Sequence, residues 1–422
     1  MSRRLLTLAL LGSACVGGCA DGRLGEQLGQ DAAWEPVTVL ALPSCAVESP
    51  YDAGLTESWA AVVDAEVRRV ASLFALPLDG SLRVRLVPVP VPAQAGDEPW
   101  RLLMHGVDKR GLAGYAPHGA DFVVVYVPDD RSLPDDRILE FLLGGPVATS
   151  SVVRHELAHA LSQRAGLPAD PRWFQEGLAE CVEHMDEDSD RLVWPAITPI
   201  EVVRQADPAP GALRALLDWP ELTTGSGPED LRPELYDSAH ALFRFLAGPH
   251  VEAGFAEAAR RAAALDRGQL LELEGAWVSW LGALDPLAEV AAGLAAPEAD
   301  TRDRARWVLN GFSLLWKERG QMRAAVTLAL DSIRRDGITS PTATMLALFG
   351  PQLLSGDEVL ALEAQGDSGV VLAQALRQAR GEALDVERLL RAWAALPAPR
   401  RIELSMPEYL LGELLKPTDS PP

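Results

Sequence analysis

The chain has 422 residues, 48% hydrophobic and 23% charged, which is long enough for two or three domains and excludes a disordered polymer. A formal net charge of −22 excludes nucleic acid and anionic lipid surfaces as electrostatic partners. A cationic substrate is compatible with that charge, which carries no information about fold.

Reading from the start, Arg3 and Arg4 precede an apolar stretch from Leu5 to Val16, followed by Gly17-Gly18-Cys19. A positive n-region, a short h-region and small residues at a cut site predict a signal peptide, too short to span a bilayer. The cysteine after the small residues resembles a bacterial lipobox. That resemblance implies removal of residues 1–18, lipidation of Cys19 and anchoring in the cell envelope; ordinary secretion with cleavage nearby is the other reading. Cys15 fits less well, because Gly12 stands where a lipobox carries Leu or Val. Residues 19–36 form a polar tether. Cys45 and Cys181 then remain, a pair that an oxidising compartment can bridge, unless Cys181 is a small buried side chain.

Val37–Leu42 suits a strand. Leu55–Phe74 places apolar residues at helical spacing and is stopped by Pro77 and Gly80. Leu82–Val87 alternates as a half-buried strand does, and the prolines after Val87 bar it from continuing inside a sheet. Phe122–Val127 is a β-branched run suited to a buried strand. Ile138–Leu143 and Ser150–Ala165 read as helices, the second with cap candidates Thr149-Ser150-Ser151 and with Gly166 and Pro168 as its stop. Pro195–Pro233 reads as short helices and loops, and Glu234–Ala247 as an amphipathic helix. Beyond Asp285 the composition turns to Ala, Leu, Arg and Glu. Arg304–Arg335 reads there as a helix pair and Val370–Leu396 as further helix, with no fixed repeat period. The tail from Lys416 reads as loose.

The chemistry concentrates in His155-Glu156-Leu157-Ala158-His159. Two imidazoles four residues apart on a helix share one face, and both ring nitrogens reach one divalent metal, with a glutamate beside the first. Val152, Val153, Leu157, Ala158 and Leu161 bury that helix, so its histidines need a partner. A metzincin would carry Gly at 162 and His at 165. Ser162 and Ala165 stand there and exclude it.

Sixteen residues after His159 comes Glu176, within Trp173-Phe-Gln-Glu-Gly-Leu-Ala-Glu180. This arrangement resembles the gluzincin superfamily, specifically the peptidase-MA-like families and more distantly aminopeptidase N and thermolysin-like enzymes. The resemblance covers roughly residues 55–250. It implies an α+β fold: a zincin-like catalytic domain, with a small mixed sheet and active-site helices, followed by an all-α C-terminal region. It implies one zinc ion held by His155, His159 and Glu176. It also gives Glu180 a hydrogen bond to the far nitrogen of a ligand histidine, against the plainer reading of a solvated carboxylate. Glu183 and His184 fall beyond the family's turn. Tyr236, heading Tyr-Asp-Ser-Ala-His240, matches the tyrosine that stabilises the oxyanion in such enzymes, unless it is a core residue. His240 reads equally as lining the cleft or as structural, and His118 as a plain loop histidine. The Gly111–Asp121 stretch matches a segment leading into the strand that borders the active site, where an extended peptide pairs. No exopeptidase segment of the aminopeptidase N kind is present, so endo- and exopeptidase both stand.

The expected mechanism is metal-assisted hydrolysis of a peptide or protein substrate. Zinc lowers the pKa of water from 15.7 to about 7 and Glu156 acts as general base. The alternative is a membrane-tethered binding or scaffold lipoprotein with a non-catalytic zincin domain. The expected organisation is signal 1–18, tether 19–36, catalytic subdomains 37–194 and 195–285, and a helical, repeat-like domain 286–422.

Overall fold

The computed structural model describes residues 34–89, 114–116, 121–128, 147–188, 190–205, 208–219, 233–397, 400–401 and 404–411. The signal segment with Cys19, most of the tether, His118, the helix expected over Ile138–Leu143 and the tail lie outside the described residues. The protein is α+β and mostly helical, with one small mixed sheet and a two-stranded ribbon. It divides into two units between Leu284 and Asp285. No described helix is long and apolar enough to cross a membrane.

In the first unit, β1 (Thr38–Ala41) and β2 (Ala46–Ser49) pair antiparallel, and helix α1 (Ala53–Leu73) carries the chain to β3 (Arg83–Val89). β2 and β3 are parallel, so a crossover is required, and α1 supplies it. β4 (Gly114–Tyr115) and β5 (Phe122–Pro128) complete the order β1-β2-β3-β5-β4, with β5 parallel to β3 and antiparallel to β4. The register sets Val84 beside Val123 and Leu86 beside Val125, all buried in the core cluster that also holds Val63, Val67 and Val70 of α1 and Phe74 just past its end. Arg85 lies on the other face, against Glu48 at 2.6 Å and over the Phe122 ring.

β3 runs two residues past Val87 in spite of Pro88. β2 pairs only Arg83–Arg85, so beyond that point β3 has a described neighbour on one side alone, where a missing N–H donor is tolerated.

Helix α2 (Val147–Arg164) starts ahead of the expected caps, which lie within its first turn. It ends as expected at Gly166, whose φ of +76° and the bond from Leu167 N–H to the Ser162 carbonyl close a left-handed cap. Helix α3 (Arg172–Glu183) is buried along its whole length. The ribbon of β6 (Asp186–Asp188) and β7 (Arg191–Val193) follows. Short helices α4 (Ile200–Arg204) and α5 (Ala212–Leu217) then lead to α6 (Pro233–Ala247), with Pro233 at a helix start where its absent N–H is no loss. Helices α7 (Phe255–Ala263), α8 (Arg267–Glu272) and α9 (Glu274–Gly282) complete the unit. One core cluster runs from Cys45 to Leu281, so segments 37–194 and 195–284 share a hydrophobic interior.

Of the two readings of Cys45 and Cys181, the bridge is not formed: both are buried free thiols. Cys45 faces Asp64 and Arg68 of α1, whereas Cys181 faces Arg244 of α6, so the two point at different helices.

The second unit is helical throughout its described residues: α10 (Pro286–Ala295), α11 (Ala299–Gly311), α12 (Ser313–Glu318), α13 (Met322–Asp336), α14 (Ser340–Leu353), α15 (Gly356–Leu362), α16 (Asp367–Arg380), α17 (Val386–Ala395) and α18 (Ser405–Leu411). Asp285 caps α10 through Ala288 N–H, and Ser355 and Glu358 form a capping box on α15. The pair expected over Arg304–Arg335 is instead three helices, because the chain breaks after Gly311 and again at Gly320, where φ is +68°. Trp316, Val326, Leu330, Leu346, Leu372 and Leu376 are buried in this unit.

Candidate metal centre

Helical spacing on α2 sets His155 and His159 one turn apart on a buried face, with their Nε2 atoms 3.2 Å from each other. Helix α3 brings the Glu176 Oε2 to 3.5 Å from each of those nitrogens. Donors bonded to one tetrahedral ion at about 2.0–2.1 Å lie roughly 3.3–3.4 Å apart, so this triangle has the dimensions of three ligands around a single cation. The oxygen at its apex has no hydrogen-bond partner among the described residues. The three groups can hold a metal ion and leave one tetrahedral position open.

Gly177 makes the close helix approach possible. A Cβ there would lie 2.4 Å from the Ala239 carbonyl oxygen of α6, so any side chain would force the two helices apart. Arg154, one residue before His155, fixes α2 from the other side. Its guanidinium forks onto buried Glu66 of α1 at 2.8 and 3.0 Å, and reaches Glu187 at 2.6 Å and the Met185 carbonyl at 3.2 Å.

The far nitrogens of both histidines are held by residues that no sequence motif singles out. His155 Nδ1 meets Glu183 Oε2 at 3.0 Å, while Glu180 Oε1 stands at 3.8 Å, outside hydrogen-bond reach. The expected partner Glu180 is therefore replaced by Glu183: seven residues after Glu176, it returns to the same helix face two turns on. His159 Nδ1 lies 3.3 Å from Gln175 Oε1, and Gln175 in turn donates its amide to the Pro168 carbonyl. Such partners fix the ring tautomer and orientation.

Arg172 lies 3.7 Å from the second Glu176 oxygen, donates to the Tyr236 hydroxyl at 3.0 Å and stacks over Trp219 at 4.0 Å. Tyr236 is buried edge-on to Trp219 and sits one residue removed from Glu176, through Arg172. The i−4 position of Arg172 relative to Glu176 is a signal for this link that the sequence already carries.

Glu156 is fully buried, and neither carboxylate oxygen has a hydrogen-bond partner among the described residues. The edge strand β4 lies against it: a Cβ on Gly114 would be 2.9 Å from Glu156 Cγ and 3.3 Å from Oε1. Glycine at 114 lets the backbone of a sheet edge touch the carboxylate. The strand bordering this carboxylate is thus Gly114–Tyr115 itself, antiparallel to the Phe122 strand expected there.

Burial raises Glu156 to about 7, against the pull of His155 and His159. Burial would also raise Glu176, but the two histidines, each 3.5 Å from its Oε2, hold it down at about 2. Desolvation opposes charge on His159, yet Glu176 and Glu156 lift it to about 9. His155 is lifted well above its ordinary value in the same way, by Glu176 and Glu183. The pocket therefore attracts positive charge, and a cation entering it displaces protons.

Two further groups of described residues can hold a metal ion: His155 with Glu180 and Glu183, and Glu180 with His184 and His240. His240 is fully buried and stacked on His184, not exposed in a cleft. No family model, curated protein or solved structure matches the chain.

Proposed function

We propose that the chain is a zinc-dependent peptidase of the gluzincin kind, with a zincin-like half-domain around α2 and the mixed sheet. The observation that carries this reading is the triangle of His155, His159 and Glu176, with sides of 3.2, 3.5 and 3.5 Å. Two imidazoles and one carboxylate on edges of that length suit one zinc ion. Zinc bound there supplies a Lewis acid that polarises a substrate carbonyl and makes water acidic enough to ionise near neutral pH.

The remaining steps belong to the chain's own side chains. Glu156 takes the proton of the attacking water and delivers it to the amine as the peptide C–N bond breaks. Its lack of other partners leaves both oxygens available for that transfer. Tyr236 donates to the developing oxyanion, and the Arg172 guanidinium on its oxygen strengthens it as a donor. The substrate lies extended along β4, pairing its backbone with the edge that passes Glu156. Export and lipidation at Cys19 would hold the enzyme at the cell envelope.

The test is digestion of a peptide library by the wild type, by chelated protein and by Glu156→Gln. Expected is cleavage by the wild type alone, with metal content unchanged in the variant and its rate down by about 10²–10⁴. Wild-type cleavage by Glu156→Gln would refute the scheme; no cleavage by any form would favour the non-catalytic lipoprotein.

A further inference from the structure

One turn beyond Glu176 on α3 lies Glu180, and one turn further lies His184, just past the helix end. His184 faces α4 and α6, and Glu180 stands between it and His155. His184 Nε2 stands 3.6 Å from Glu180 Oε2 and 3.7 Å from Glu201 Oε2 of α4. His240 of α6 stacks on His184, with ring centroids 5.3 Å apart and planes 9° from parallel. The ligand atoms of Glu180, His184 and His240 all lie within 4.8 Å of one another.

His240 is the informative residue. It is 0% exposed, and neither ring nitrogen has a hydrogen-bond partner among the described residues. A buried imidazole left unpaired on both sides is costly, and the hydrolytic scheme gives it no role. A proton on His184 satisfies Glu180 and Glu201 but offers nothing to His240. A cation would take one nitrogen from each imidazole and an oxygen from Glu180 at once. Two neutral imidazoles beside two buried carboxylates also present the charge that a divalent ion cancels, and mixed nitrogen and oxygen donors suit zinc and its first-row neighbours over calcium or magnesium. The His184 side chain is 29% exposed, which opens the cluster to solvent on one side.

We propose that Glu180, His184 and His240 form a second divalent-cation site, separate from the His155–His159–Glu176 triangle, with Glu201 at its margin. An ion there cross-links α3 to α6, the pair of helices that meet at Gly177. Glu180 stands between the two centres, one oxygen 3.8 Å from His155 Nδ1 and the other 3.6 Å from His184 Nε2.

The experiment is zinc counting. Metal-free full-length protein is dialysed against buffered zinc and the bound metal is measured per chain, alongside circular dichroism to establish folding. Expected are two ions in the wild type and one in each of His240→Leu, His184→Gln and Glu176→Gln. Glu176→Gln combined with His184→Gln should hold none. His184→Gln alters a partly exposed side chain, so it keeps the test sound even where His240→Leu does not fold. A wild type that binds one ion, with none left in Glu176→Gln, would overturn the site and assign a proton to the cluster. Two ions retained in folded His184→Gln would overturn it equally. Neither result bears on hydrolysis, which the Glu156→Gln digestion tests separately.

Discussion

At the residue scale, Glu156 carries a cost for which the proposed hydrolysis gives a reason. A carboxylate buried without a hydrogen-bond partner is poorly tolerated, and its proton affinity rises until it titrates at about 7. A general base must be deprotonated, so peptidase activity should fall as pH drops through about 7, and a bound cation moves that limb to lower pH. A kcat/KM profile checks this: activity undiminished down to pH 4.5 would mean that Glu156 is not the titrating base. The cysteines give a second expectation. Burial pushes Cys181 up to about 12 and raises Cys45, so neither should react with a thiol reagent in the folded protein at pH 8. Both should be alkylated after unfolding without reductant, as read by peptide mass mapping; a Cys45–Cys181 cross-linked peptide would contradict the free thiols. The approach of His155 to His159 is legible in the sequence because a fixed helical pitch turns a spacing of four into proximity. Glu183 and Gln175 are not, because their partners sit on another helix, and only the packing of α2 against α3 decides which carboxylate reaches His155.

Between elements, the centre depends on how closely helices approach and how firmly one of them is pinned. Arg154 and Glu66 are buried together, with side chains 6% and 2% exposed, at the crossing of α1 and α2. Removing the arginine leaves the buried Glu66 carboxylate with Arg69 alone, 2.7 Å from one oxygen, and its other oxygen unpaired. Arg154→Met should therefore cost about 1–3 kcal/mol of stability, and adding Glu66→Leu should recover much of it. Urea unfolding of the single and double variants checks this, and equal losses in both would point to packing in place of charge. Gly177→Ala tests the approach of α3 to α6. Alanine gains at most about 1 kcal/mol in helix propensity, but its Cβ would sit 2.4 Å from the Ala239 oxygen. A net destabilisation of about 1–3 kcal/mol is expected, with weaker metal retention, since Glu176 shifts with its helix. Strands β1, β3 and β5 and helices α1, α2 and α6 are readable from periodicity and stop signals, whereas the short strands β2, β4, β6 and β7 are not. The extension of β3 through Pro88 is not, because a proline is excluded or admitted by whether the neighbouring strand continues, and Ser49 ends that strand.

At the scale of the whole molecule, the two units differ in what their residues do. The histidines, the groups that can hold a metal ion and the edge strand all fall before Leu284, whereas the helices after it bury Trp316, Leu346 and Leu372. The sequence marks this boundary through a change of composition near Asp285. That aspartate also acts locally, capping the helix that opens the second unit by accepting from Ala288 N–H at 3.2 Å. The core cluster of the first unit ends at Leu281, so a cut after Leu284 removes none of its buried members. A fragment of residues 34–284 should therefore fold cooperatively, hold the same number of zinc ions as the full chain and cleave short peptides at a similar rate. Calorimetry, metal analysis and peptide assay on the fragment check this. An unfolded fragment would mean that the first unit needs the helical unit for stability. A folded fragment with full metal content but no cleavage would assign the helices after Asp285 to substrate capture, a role that neither their apolar spacing nor their capping residues reveal.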